Sequence, residues 1–162
     1  LSSMLAGCGY HVGGKSDLLP KTIQTIAIPA FTNLTVRYKF ADRLAGAITR
    51  EFIARTKYQI ITDPTQADAV LKGTILTFTS YPTIFDPATG RAAGVQIQAT
   101  MQLTLTERAT GKVLYNRPSF DFRERYEVSV DQQQYFEESD QALERLSRDV
   151  ARTLLSSILE AF

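Results

Sequence analysis

From Val95 to Thr106 the chain alternates without a break. Val95, Ile97, Ala99, Met101, Leu103 and Leu105 fall on one side, and Gln96, Gln98, Thr100, Gln102, Thr104 and Thr106 on the other. A period of two held this long specifies a β-strand, because successive side chains of a strand point to opposite faces. One face of that strand must be buried, so the chain needs a sheet and a layer to cover it. The other face offers only neutral hydrogen-bonding groups, which suit water or a polar partner.

The neighbouring segments supply the rest of that sheet. Ala69 to Tyr81 is apolar and threonine-rich, and it leads into a long loop ending at Arg91. Thr110-Gly111 makes a hairpin turn into Val113 to Val128. There Phe120, Phe122, Tyr126 and Val128 oppose Asp121, Arg123, Arg125 and Glu127, and Pro118 predicts a bulge or a sheet edge. Upstream, Ile23 to Phe31 reads as a first strand, at an edge or ending near Pro29. Thr32 to Thr35 follows as a turn with capping chemistry, and Tyr58 to Thr62 is a short strand closed by Asp63-Pro64.

Two segments change period. Val36, Phe40, Leu44, Ile48 and Phe52 recur at every fourth position, which predicts an amphipathic helix from Val36 to Arg55. A second helix is predicted from Gln132 to Ala161, capped by Asp131, with Phe136, Leu143, Leu146, Val150, Leu154 and Ile158 as its buried stripe. The expected fold is α+β, a two-layer sandwich in the order β-α-β-β-β-β-α. A mainly antiparallel sheet of four to five strands carries both helices on its apolar face.

The chain has 162 residues, 44% of them hydrophobic, enough for one domain with a core that needs neither disulfide nor metal. With 18 basic and 17 acidic residues it lacks the basic surplus of a nucleic-acid binder, so no nucleic-acid partner is expected. No stretch approaches the roughly 20 apolar residues of a membrane-spanning helix.

The amino terminus carries the sole cysteine. Leu5-Ala6-Gly7-Cys8 resembles the bacterial lipobox, in which small residues precede a cleavage site and the cysteine thiol takes the lipid. Residues 1–7 are then expected to be the remnant of a signal peptide. Residues 8–21 would be a lipidated tether, and residues 22–162 a single domain. About three acyl chains on Cys8 exceed the two that already give stable anchoring. The alternative is a small apolar residue in an ordinary terminus.

Gly9 to Ser16 also satisfies the phosphate-loop pattern, ending Gly14-Lys15-Ser16. That loop works between a buried strand and a helix N-terminus, whereas here no strand precedes it and Pro20 follows too soon. A glycine-rich tether of up to roughly 45 Å is the better reading.

Catalysis has little to stand on. His11 is the only histidine and lies in that tether, so neither a Ser-His nor a Cys-His arrangement can be built on a rigid element. Cys8 and His11 give two metal ligands where a structural zinc site takes four, so no metal or cofactor is expected. Glu137 and Glu138 are adjacent and point about 100° apart on a helix, as a solvated helix start would. No enzyme activity is expected.

Several segments together resemble one family. Lipobox-Cys8-Gly9-Tyr10-His11, Leu19-Pro20, Thr25-Ile26-Ala27-Ile28-Pro29-Ala30-Phe31-Thr32-Asn33 and Ala67-Asp68-Ala69-Val70-Leu71-Lys72-Gly73 look like the LptE family of lipopolysaccharide-assembly lipoproteins. The resemblance implies an outer-membrane, periplasm-facing lipoprotein that plugs the LptD β-barrel, binds lipopolysaccharide and is not an enzyme. A Gln/Thr face suits the polar lumen of such a barrel. Lipopolysaccharide is anionic, so its expected contacts are basic groups on loops: Arg91 before the alternating strand, and Arg108 and Lys112 at the hairpin. The alternative for each, and the commoner role of such residues, is a solvated surface charge. The opening strand, Phe-x-Asn and helix also resemble lipoproteins that activate a peptidoglycan synthase, which is the rival reading.

Overall fold

In the computed structural model, residues 19–127 and 132–162 are described. Cys8, His11, Val128 and Asp131 lie outside the described residues, as do the side chains of Phe136, Glu137 and Glu138.

The alternating segment forms β5 (Ala92–Glu107), paired antiparallel with β4 (Ala69–Phe85) on one side and β6 (Val113–Glu127) on the other. These three long strands make a wing. At its base lie β1 (Thr25–Ala27), β2 (Thr32–Asn33) and β3 (Gln59–Ile61), all in parallel pairings. The sheet order is β3-β1-β4-β5-β6, with β2 beside β4. It has six strands and is mixed, because β1, β2 and β3 pair in parallel. The strand expected over Ile23–Phe31 shortens to β1, leaving a gap before β2, which forms where a turn was expected. Pro29 falls in that gap, where a missing N–H breaks no ladder.

The parallel pairing of β1 with β3 requires a crossover, and α1 (Tyr38–Arg55) supplies it. Phe40, Leu44, Ile48 and Phe52 are buried as their spacing predicts, joined by Ala41 and Ala47. Val36 is a correction: it precedes α1 and is 80% exposed. The predicted capping is also relocated. Asn33 Oδ1 accepts from the Thr35 N–H and hydroxyl at 3.0 and 2.8 Å, and Thr35 Oγ1 accepts from the Arg37 N–H at 3.1 Å. These bonds shape the turn, while Arg37 at the helix start gives no side-chain cap. The α1 C-terminus is closed by Thr56, whose N–H and hydroxyl both donate to the Phe52 carbonyl.

α2 (Gln132–Leu159) lies beside α1 and runs in the same direction, as its contacts show. Arg43 and Lys39 reach Asp140, Arg50 reaches Glu144, and Arg55 reaches Ser156. Leu146, Val150, Ala151, Leu154, Leu155 and Ile158 are buried against the sheet and α1. Ser147 is buried among them, its hydroxyl satisfied by the Leu143 carbonyl at 2.7 Å.

The expected bulge is present. Met101 pairs with Phe120 and Leu103 with Arg117, so Pro118 and Ser119 crowd into the space of one residue. Gly111 adopts φ 71°, the left-handed conformation the hairpin needs. β4 runs four residues past the expected end at Tyr81, through Pro82 to Phe85. Beyond Ile75 it has only β5 as a neighbour, and an edge strand tolerates proline.

Candidate functional site

The wing presents one face to the helices and one away from them. On the outer face the register stacks side chains in rows across β4, β5 and β6. These rows are Tyr81–Gln96–Arg125, Thr79–Gln98–Arg123, Thr77–Thr100–Asp121 and Lys72–Thr104–Asn116. Hydrogen bonds run within rows and diagonally between adjacent ones. Gln98 Nε2 donates to the Tyr81 hydroxyl at 3.2 Å, Thr100 Oγ1 to Asp121 Oδ1 at 2.8 Å, and Thr104 Oγ1 to Asn116 Oδ1 at 3.3 Å. The bonding orients these side chains, giving an ordered polar surface. At the base this face becomes apolar, where Ala27, Ala67 and Val70 form a small separate cluster with Ile61.

The three basic candidates do not come together. Arg91 closes the β4–β5 turn, where its carbonyl accepts from the Asp86 N–H at 2.8 Å and its side chain is exposed. The turn is held by Asp86, whose carboxylate accepts from the Ala88 N–H and the Thr89 hydroxyl; these bonds keep its pKa below the ordinary value. Arg108 and Lys112 lie at the β5–β6 turn, at the far end of β5, roughly 50 Å away by strand rise. Lys112 is exposed there. Arg108 is exposed but tied to the base: its Nε donates to the Ala67 carbonyl at 2.7 Å and its N–H to the Asp68 carbonyl at 2.8 Å.

Asp68 is the centre of a clamp at the base. Its carboxylate accepts from the N–H groups of Gln24 and Thr25 at 3.0 and 2.9 Å and from the Thr25 hydroxyl at 2.9 Å. The Gln24 N–H, then those of Thr25, hold its pKa below the usual carboxylate value, and the Arg108 guanidinium adds to this. Nearby, the Phe31 ring lies against Gly73, where an added Cβ would come within 2.2 Å of the ring. Asp68, Gly73, Phe31 and Asn33 all belong to the segments that carry the family resemblance, and each is used to build the base.

Sequence reading missed a cleft of about 450 Å³ between the start of α1, α2 and the inner face of the wing. Phe40, Phe78, Val95, Ile97, Leu143 and Leu146 give it an apolar lining, and Arg37 and Lys39 stand at its rim. Leu34, Val36 and Tyr38, at 66%, 80% and 69% exposure, extend the apolar surface beside it. The signal was the run Leu34 to Lys39, in which apolar and basic residues interleave ahead of the helix. Among the described residues no group of three His, Cys, Asp or Glu side chains could hold a metal, and no helix is long and apolar enough to cross a membrane.

The chain is thus a two-layer α+β domain with an ordered polar sheet face and an apolar cleft. The family model for LptE, lipopolysaccharide-assembly, matches residues 23–158, and the chain belongs to that family. None of the curated proteins compared with it matches. Among solved structures it is similar to the PelC dodecamer subunit of Paraburkholderia phytofirmans, at 14% identity and a TM-score of 0.55, covering 85% of this chain and 89% of that one. It is also similar to the rare lipoprotein B of Shewanella oneidensis, at 12% identity and a TM-score of 0.50, over 84% and 94% of the two chains. A Chlamydia trachomatis protein, CT253, gives 11% identity and a TM-score of 0.56, over 85% and 96%. At these identities the likeness is one of fold.

Proposed function

We propose that this protein is anchored through Cys8 in the outer membrane, facing the periplasm. There it sits inside an LptD-like β-barrel and binds lipopolysaccharide during its transport to the cell surface. Membership of the LptE family supports the partner and the ligand. The observation that carries the barrel reading is the outer face of the wing. Its ordered Gln and Thr rows, with Arg123, Arg125 and Asp121 along one side, match the wet, polar wall of a barrel lumen rather than an apolar partner. The proposed role is binding and assembly, without catalysis.

Copurification of the full chain from native envelopes tests this. Recovery of a large outer-membrane β-barrel is expected, and recovery of a periplasmic synthase domain in its place would overturn the reading. Mass spectrometry of the native protein should find Cys8 lipidated. Because Arg91 and Lys112 lie at opposite ends of β5, their charge reversals should act separately in a lipopolysaccharide pull-down. Retention unchanged by Arg91→Glu and by Lys112→Glu would remove both as contacts.

A further inference from the structure

We propose that the cleft at the start of α1 receives an acyl chain of the anionic glycolipid, with the charged headgroup over Arg37 and Lys39. This rests on the lipopolysaccharide reading above and assigns where the apolar part of the ligand goes.

The argument begins with shape. A volume of about 450 Å³ lies within the range of sites that enclose small apolar ligands, roughly 300–1,000 Å³. The lining side chains come from five elements or their flanks: Phe40 and Val36 at α1, Phe78 on β4, Val95 and Ile97 on β5, Tyr126 on β6, and Leu143 and Leu146 on α2. Val95, Ile97 and Phe78 continue the inner apolar face of the wing. The floor is therefore fixed by the sheet rather than by a loop. Tyr126 turns its hydroxyl away to donate to Asp149 at 2.9 Å, leaving its ring to the cleft.

Charge gives the direction of entry. The Arg37 guanidinium lies over the Phe78 ring, 5.7 Å from its centroid, so one cation is held at the apolar rim. Lys39 stands beside it, paired with Asp140 at 3.4 Å; both side chains are largely exposed, so an anion competes readily for the lysine. Arg43 also reaches Asp140, at 3.3 Å, so among the described residues two cations share that one carboxylate. An apolar slot with cations at one end fits an anionic amphiphile and disfavours a cationic or purely polar one. Arg91 lies at this same end of the wing, whereas Arg108 and Lys112 lie at the other.

The test uses the full chain and the fluorescent fatty acid cis-parinaric acid, with its uncharged methyl ester for comparison. Saturable binding of the acid, weaker binding of the ester and displacement by purified lipopolysaccharide are expected. Arg37→Glu with Lys39→Glu should weaken the acid about tenfold, since each tenfold is about 1.4 kcal/mol. Ser80→Trp fills the cleft from an exposed position and should abolish saturable binding of both probes while circular dichroism and the melting temperature stay unchanged. Binding that none of these substitutions alters, or no saturable binding at all, overturns the proposal. If Ser80→Trp abolishes probe binding yet lipopolysaccharide is retained as before, the ligand reading stands and the acyl-chain site is wrong.

Discussion

The base of the sheet and its wing are built to different rules. At the base, strands of two and three residues pair in parallel, and single contacts hold them: the Asp68 carboxylate across β1, and Phe31 pressed on Gly73. In the wing, strands of 15 to 17 residues pair antiparallel, and stability is spread over many equivalent rungs. Short strands with few hydrogen bonds need individual anchors, while long ones can give a whole face to a partner. Substitution should therefore cost folding at the base and binding in the wing.

The largest effect is expected at Gly73. Alanine there forces its methyl into the Phe31 ring and should lower stability by about 3 kcal/mol, the upper end for overpacking. The check is a double-mutant cycle in urea: with Phe31→Ala already present, Gly73→Ala should cost far less. Additive costs would show that the ring contact is not what requires glycine.

Asp68→Asn comes next, at about 1 to 2 kcal/mol, because the charge that strengthens three hydrogen bonds is lost. The pH dependence has a definite sign. The folded pKa lies below the ordinary 3.8, so the contribution is complete above that value and disappears as the pH falls through the folded one. Melting temperatures of the wild type and Asp68→Asn should differ at neutral pH and converge in acid. A constant gap down to low pH would mean that the carboxylate's charge plays no part.

The smallest effect on folding is expected on the wing's outer face. Gln98→Arg should change stability by no more than about 0.5 kcal/mol, as surface substitutions usually do. Recovery of the barrel partner should nonetheless fall, read as the partner-to-chain ratio after copurification. A large loss of stability with full partner recovery would reverse the contrast between the two regions.

Legibility in the sequence followed the same division. The β5 alternation, the bulge at Pro118 and the turn at Gly111 were readable because each is local, set by side-chain period, a missing N–H or a positive φ. The base was readable only as segments. Nothing local shows that β1 lies between β3 and β4, because that order depends on partners more than thirty residues away. Val36 fitted the four-residue spacing of α1, yet helical period alone does not tell where the preceding turn ends. Of the basic candidates, the positions in turns were correct, but the internal hydrogen bonds of Arg108 depend on Ala67 and Asp68, which only folding brings near. The cleft draws on five elements, and only the mixed apolar and basic run before α1 marked it in the sequence.

The two free strand edges of the wing have a consequence for the protein at high local concentration. β6 and the outer half of β4 each leave backbone groups without a neighbouring strand among the described residues, and such edges invite a second copy to continue the ladder. Each edge carries a proline, Pro118 in its bulge and Pro82 at a register shift, and β6 adds Arg117, Arg123, Glu124, Arg125 and Glu127. Neither edge offers an unbroken run of donors and acceptors. Crowded copies are thereby insulated from stacking into fibrils, and an outer face rich in glutamine and threonine can remain exposed without seeding aggregation.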